Sequence, residues 1–167
     1  MAVKWKTTVN KLPEVKKTVE SLSNRKIEVG CIEGEHAWLA GIHEYGCDIR
    51  VTPKMRAYLH SKGLHLSNST THIHIPERAF LRNGHDQYAD EVLKKASMAL
   101  GQVIGGKMSE RQYLDMVGQM LSTKVKKYAV DLKTPANHPF TVEQKNSSNP
   151  LVDTGDMINR GISWRVK

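Results

Sequence analysis

Cysteine and aromatic rings are scarce in this chain. Of its 167 residues two are cysteine, Cys31 and Cys47, and two are phenylalanine. The cysteines show no CxxC spacing, which points to a reducing compartment. No apolar run approaches the roughly 20 residues that crossing a bilayer requires, and the stretch from Met1 to Val15 lacks the apolar centre of a signal peptide. A soluble protein made in the cytoplasm, without a membrane partner, is the expectation. Acidic residues are also few: 17 against 25 lysines and arginines, a net charge of +8. That excess favours an acidic partner surface, either nucleic acid or another protein. The pairs Lys16-Lys17 and Lys94-Lys95, and Lys124 with Lys126-Lys127, lie on amphipathic helical segments without an accompanying aromatic nucleic-acid motif, so solvated helix faces are the better explanation of them.

Several kinds of active site are missing. Gly105-Gly106-Lys107 lacks both the upstream glycine and the following Ser or Thr of a phosphate loop, and no serine or cysteine sits in a nucleophile elbow. Asp153-Thr154-Gly155 has the triplet of an aspartic-protease loop, but that chemistry needs two aspartates sharing a proton. This chain has one triplet and only twelve residues after it. The simpler reading is that Asp153 caps a short helix over Thr154–Arg160. Eight histidines raise the question of a metal. His72 and His74 would share a face of an alternating strand, with His60, His65 and His43-Glu44 as further ligands, yet no spacing matches a zinc pattern. No metal, cofactor or catalytic residue is expected.

What is present is a single α+β domain over residues 1–167, with a small, mainly antiparallel sheet against two longer helices. Trp5, Val9, Leu12, Val15, Val19 and Leu22 have helical spacing within residues 1–24. Pro13 starts or bends that helix, leaving Glu14–Leu22 as its firm part. Ile27, Val29 and Cys31 alternate with polar or small residues, predicting a central strand. Trp38, Leu39, Ile42 and Tyr45 share one face of a helix over Glu35–Tyr45, with Gly46 as its left-handed cap. Cys47–Val51 reads as a strand, Thr52-Pro53 as the start of a helix reaching His60, and His72–Ile75 as another strand.

Tyr88, Val92, Ala96, Ala99 and Val103 predict one long helix. Tyr113, Met116 or Val117, Met120, Val125 and Tyr128 predict a second, opened by a Ser109–Gln112 capping box after Gly105-Gly106. Residues 62–72 and 132–149 are polar or proline-broken and read as arms. Ile162, Trp164 and Val166 alternate on a last strand that pairs back into the sheet, after Gly161 ends the preceding helix.

Three ordered stretches carry a resemblance. They are Ile42-His43-Glu44-Tyr45-Gly46, then Ile75-Pro76-Glu77-Arg78-Ala79-Phe80-Leu81-Arg82, and Pro150-Leu151-Val152-Asp153-Thr154-Gly155 running into Ile162-Ser163-Trp164-Arg165-Val166. In this order they resemble the neck, tail-completion or virion-morphogenesis proteins of tailed phages. Thr52-Pro53-Lys54-Met55-Arg56-Ala57-Tyr58-Leu59 is similar to a segment of one subgroup. The resemblance spans Ile27 to the C-terminus. Ala79 stands where the family often has proline, and Asp156 where a basic or amide residue is usual. The resemblance implies a non-enzymatic subunit of the virion neck or tail, assembled in the bacterial cytoplasm into a homo-oligomeric ring, typically of six. Its implied neighbours are the tail tube protein, a head connector, stopper or adaptor protein, and passing DNA. Phe80 and Leu81, flanked by Arg78 and Arg82, would then be either an interface anchor with carboxylate partners or a loop pinned to its own core.

Overall fold

The structure, a computed structural model, describes residues 10–145 and 147–167. Trp5, Val9 and part of the Lys145–Pro150 run therefore lie outside the described residues. Helix α1 spans Leu12–Ser23, with Pro13 in its first turn where no amide hydrogen is needed. Strand β1 (Ile27–Cys31) leads through Gly34 into α2 (Gly34–Tyr45) and β2 (Cys47–Arg50). Helix α3 (Pro53–Ser61) begins as expected: the Thr52 hydroxyl accepts the Met55 N–H at 3.2 Å. Strand β3 (His72–Ile75) precedes the long helices α4 (Phe80–Ile104) and α5 (Glu110–Asp131). After a short α6 (Pro139–Lys145), a π-helical turn over Met157–Gly161 runs into strand β4 (Ile162–Val166).

The fold is α+β, as the periodicities imply, with its antiparallel pairing divided between two ladders. β1 pairs with β4, placing Val29 opposite Trp164, and β2 pairs with β3, placing Ile49 opposite Ile73. The expectation that β1 is a central strand is corrected, since among the described residues β4 is its sole neighbour. Residues 62–72 are laced to α3 by Arg56, whose guanidinium donates to the carbonyls of Leu66, Ser67 and Thr70 at 2.7–3.1 Å. Residues 132–149, read from sequence as an irregular arm, contain α6.

Helices α4 and α5 form a hairpin whose reversal has the expected chemistry. Ser109 accepts the Gln112 N–H at 3.2 Å while the Gln112 side chain accepts the Ser109 N–H at 3.0 Å. α5 packs on α4 along one side and on the β1–β4 ladder along another. That double contact explains why its buried line is Leu114, Gly118, Ser122, Val125 and Ala129, while the expected Tyr113, Met116, Val117, Met120 and Tyr128 are only half-buried. Small residues let the strands approach. A similar correction applies to α2, which buries Ala40 and Glu44 and leaves Trp38 and Tyr45 exposed. The core gathers Phe80, Val125, Ala129, Leu151, Met157, Ile158 and Ile162, with Ala40 and Leu132, beneath the ladder. Cys31 lies at its margin, where burial pushes the thiol up to about 11 and keeps it protonated at neutral pH.

Trp164 lies against the bare backbone of Gly118: a Cβ built at Gly118 would stand 2.6 Å from the indole Cγ. Gly118→Ala adds about 1 kcal/mol of helix propensity but forces an overpacked contact that costs about 1–3 kcal/mol. Thermal unfolding of Gly118→Ala should show a net loss of stability. In a Trp164→Ala background the same substitution should become stabilising, because the obstructing ring is gone.

Candidate functional site

The last turn of α2 and the first turn of α4 meet, and the motif residues of both are used there. An α-helix starts with four N–H groups that have no partner inside the helix. The residue at the capping position of α4 is Ala79, which has no side-chain oxygen and a left-handed backbone (φ 31°, ψ 40°). Glu44, only 3% exposed, supplies the missing acceptor from α2. One of its carboxylate oxygens accepts the Leu81 N–H at 2.8 Å, and the other accepts the Arg82 N–H at 3.0 Å and Arg82 Nε at 2.9 Å. An anion at a helix N-terminus faces the positive end of the helix dipole, and here both carboxylate oxygens accept hydrogen bonds. Proline, locked near −65°, does not fit the backbone at Ala79, whose φ is 31°.

The remaining motif residues tighten the same joint. Arg82 Nη2 also donates to the Glu44 carbonyl at 3.0 Å and to Glu77 at 2.5 Å, and its guanidinium lies 4.9 Å from the centre of the Tyr45 ring. The Arg78 N–H donates to the His43 carbonyl at 2.8 Å. Gly46 has φ 69°, and a Cβ there would stand 2.8 Å from Glu77 N and Ile75 O, so this crossing requires glycine. Phe80 is 0% exposed within its own core and Leu81 packs beside it, the arrangement of a loop pinned to its own fold.

Arg78 behaves differently from Arg82. Its guanidinium is buried and, among the described residues, has no carboxylate partner. It donates through Nε to the Pro135 carbonyl at 3.0 Å, through Nη2 to Asn137 Oδ1 at 3.0 Å, and through Nη1 to His43 Nδ1 at 3.2 Å. It thus fastens the segment after α5 to α2. Arginine can only donate, so His43 Nδ1 accepts and the neutral ring carries its proton on Nε2. Burial, and then the nearby charges of Arg78 and Lys145, hold the His43 pKa down to about 4.

His43 also lines a cleft of about 520 Å³ between α2 and Leu151–Met157. Trp38, Leu39, Leu151 and Met157 form its apolar walls, and Asp153, Thr154 and Gly155 its far rim. The expected helix cap by Asp153 is not made. Asp156 holds that position, the helical turn starts at Met157, and the Thr154 hydroxyl accepts the Asp156 N–H at 3.3 Å. Trp164 lies apart, against α5.

The histidines are dispersed. His74 meets Asp48 across the β2–β3 ladder at 2.8 Å, while His60 and His65 face each other through Nδ1 at 2.7 Å on the surface. No three His, Cys, Asp or Glu side chains form a metal-sized group among the described residues. Lys145, Trp38 and Leu39 belong to the cleft without having been picked out as site residues. Their sequence signals, a lysine in a polar run and an apolar helix face, are shared with ordinary surfaces and cores. No protein-family model, curated protein or solved structure matches the chain.

Glu44→Ala should leave two α4 amides without their acceptor and cost about 2–4 kcal/mol in denaturant unfolding. Glu44→Gln, which retains one acceptor oxygen, should cost less. His43 generates a pH dependence. Its folded pKa, near 4, lies below its ordinary 6.5, so the unfolded chain binds more protons between these values. The stabilisation is complete above pH 6.5 and is lost as pH falls towards 4. His43→Asn preserves an acceptor for Arg78 and should remove a sloping contribution of about 2 kcal/mol over that window, read from stability measured against pH.

Proposed function

We propose that this chain is a structural subunit of the neck or tail end of a tailed phage or phage-derived particle. It assembles into a ring that caps the tail tube and docks it to the head connector. The resemblance carried by the three ordered motifs supplies the class. One structural observation carries the mode of action: the described surface leaves large apolar side chains uncovered on two separate helices. Trp38 and Tyr45 on α2 are 71% and 68% exposed, and Leu93 and Met98 on α4 are 61% and 74% exposed. Isolated apolar residues on a surface are ordinary, but Trp38 and Tyr45, seven residues apart, share one face of α2, and such grouping marks contact with another protein. Two different faces suit a heterologous contact, which closes into a ring when its rotation allows.

The motif residues also suit such a role. Glu44, Arg78, Phe80 and Arg82 are occupied in holding α2, α4 and the segment after α5 together, which gives a subunit a rigid frame for docking. The net charge of +8 favours acidic surroundings, including DNA passing through the ring. In native mass spectrometry, the full chain, alone or mixed with a phage tail tube protein, should give one defined ring-sized oligomer. A species that stays monomeric with the tube and connector proteins present would overturn the proposal. Steep salt-dependent binding of the monomer to random DNA would instead favour a nucleic-acid-binding module.

A further inference from the structure

Between Asp48 and Glu77 the chain has no acidic residue, while Arg50, Lys54, Arg56 and Lys62 all fall there. The carboxylate at each end of this stretch is already engaged, Asp48 with His74 at 2.8 Å and Glu77 with Arg82 at 2.5 Å. The stretch folds as β2, α3 and β3, and no other helix or strand packs extensively on its ladder. Arg50 stands opposite His72 in that ladder, so both side chains leave the same exposed face. Arg50 has no carboxylate partner among the described residues. Arg56 gives three of its five N–H groups to the carbonyls of Leu66, Ser67 and Thr70, which leave its charge uncompensated.

These side chains border one cleft of about 510 Å³. Arg50, Arg56, Asn68, Thr70, Thr71 and His72 line it, with Val51 as the sole apolar member and no carboxylate among them. The Thr71 hydroxyl and His72 Nδ1 are 3.1 Å apart, which fixes the imidazole beside Arg50. We infer that this cleft binds the sugar–phosphate backbone of DNA, with Arg50 and Arg56 supplying charge and Asn68, Thr70 and Thr71 supplying neutral donors. Arginine accompanied by hydroxyl and amide groups is the usual company of a phosphate oxygen in protein–DNA contacts. An acidic protein partner would want an apolar anchor at the centre of its contact, and Val51 alone does not provide one. No Phe, Tyr or Trp lines the cleft, so it holds the backbone without stacking on bases. Lys54 and Lys62 lie outside the cleft and extend the positive field of the lobe. DNA in transit is the partner that the ring reading supplies, and to that extent the inference rests on it. The anion chemistry of the cleft does not.

Fluorescence anisotropy of the full-length chain with a labelled random-sequence DNA duplex tests it. Two arginine contacts give a slope of log affinity against log salt of about −2 per chain, too shallow for a dedicated nucleic-acid-binding module. Arg50 is exposed, so replacing it leaves the core untouched. Arg50→Gln should lower affinity about fivefold to tenfold near 0.1 M salt and bring the slope to about −1. Arg50→Lys, which keeps the charge, should recover most of that loss. Lys107→Gln removes the same charge past the far end of α4, about 36 Å along that helix from Phe80, and should change affinity by less than about twofold. Equal losses in Arg50→Gln and Lys107→Gln, or no loss in Arg50→Gln, overturn the cleft, and a ring-sized oligomer seen in the same preparation leaves the ring reading standing. Poly-glutamate that binds as tightly as the duplex, with the same dependence on Arg50, overturns the choice of DNA in favour of an acidic protein. Arg50-dependent DNA binding by a chain that stays monomeric with the tube and connector proteins supports the cleft and overturns the ring.

Discussion

The rest of the fold depends on one carboxylate. Glu44 is buried, and a buried charge is tolerable only when its lone pairs are met. Here they are met by two main-chain amides at the head of α4 and by the Arg82 guanidinium. This sets where the longest helix begins and at what angle it leaves α2. It also places Phe80, the first residue of α4, in the centre of the core. The residues on either side extend the joint: His43 holds the Arg78 main chain, Gly46 lets the two segments cross, and Tyr45 covers Arg82 from outside. Two short motifs that could be taken for recognition elements are therefore first a hinge pin. Their residues form the frame, which leaves recognition to the surfaces the frame presents.

Arg78 extends this frame to the chain after α5. A guanidinium among carbonyls and a neutral imidazole has no opposing charge, so its burial is supported by hydrogen-bond geometry alone. This keeps His43 neutral at the edge of the α2 cleft. The cleft has apolar walls, the neutral His43 ring, the Lys145 ammonium and carboxylates at the rim.

Much of the local structure is legible without the fold. Capping signals at Thr52-Pro53 and Ser109–Gln112, and the alternation at Ile27–Cys31 and Ile162–Val166, predict elements that the structure contains, because each depends on hydrogen bonds or sterics spanning only a few residues. Apolar periodicity was less informative about which side of a helix is buried. On α5 the ladder is met by Gly118 and Ser122, which a search for large apolar residues passes over. On α2 the aromatic face points outward because the inner position is held by Glu44. The cleft was hardest to see. Its two walls are more than a hundred residues apart in sequence, and neither wall is unusual by itself.

By itself, the sequence determined the kinds of element, most of their ends, the α+β class and the basic charge, since these follow from side-chain size, capping chemistry and composition. Only the tertiary structure decided that Glu44 caps a helix starting 36 positions later, that Arg78 ties down a segment 57 positions away, and that Trp164 needs glycine beneath it. The physical reason is that capping and strand alternation act within a turn or a pleat. The burial of a charge or a ring is settled by whichever distant segment arrives to meet it.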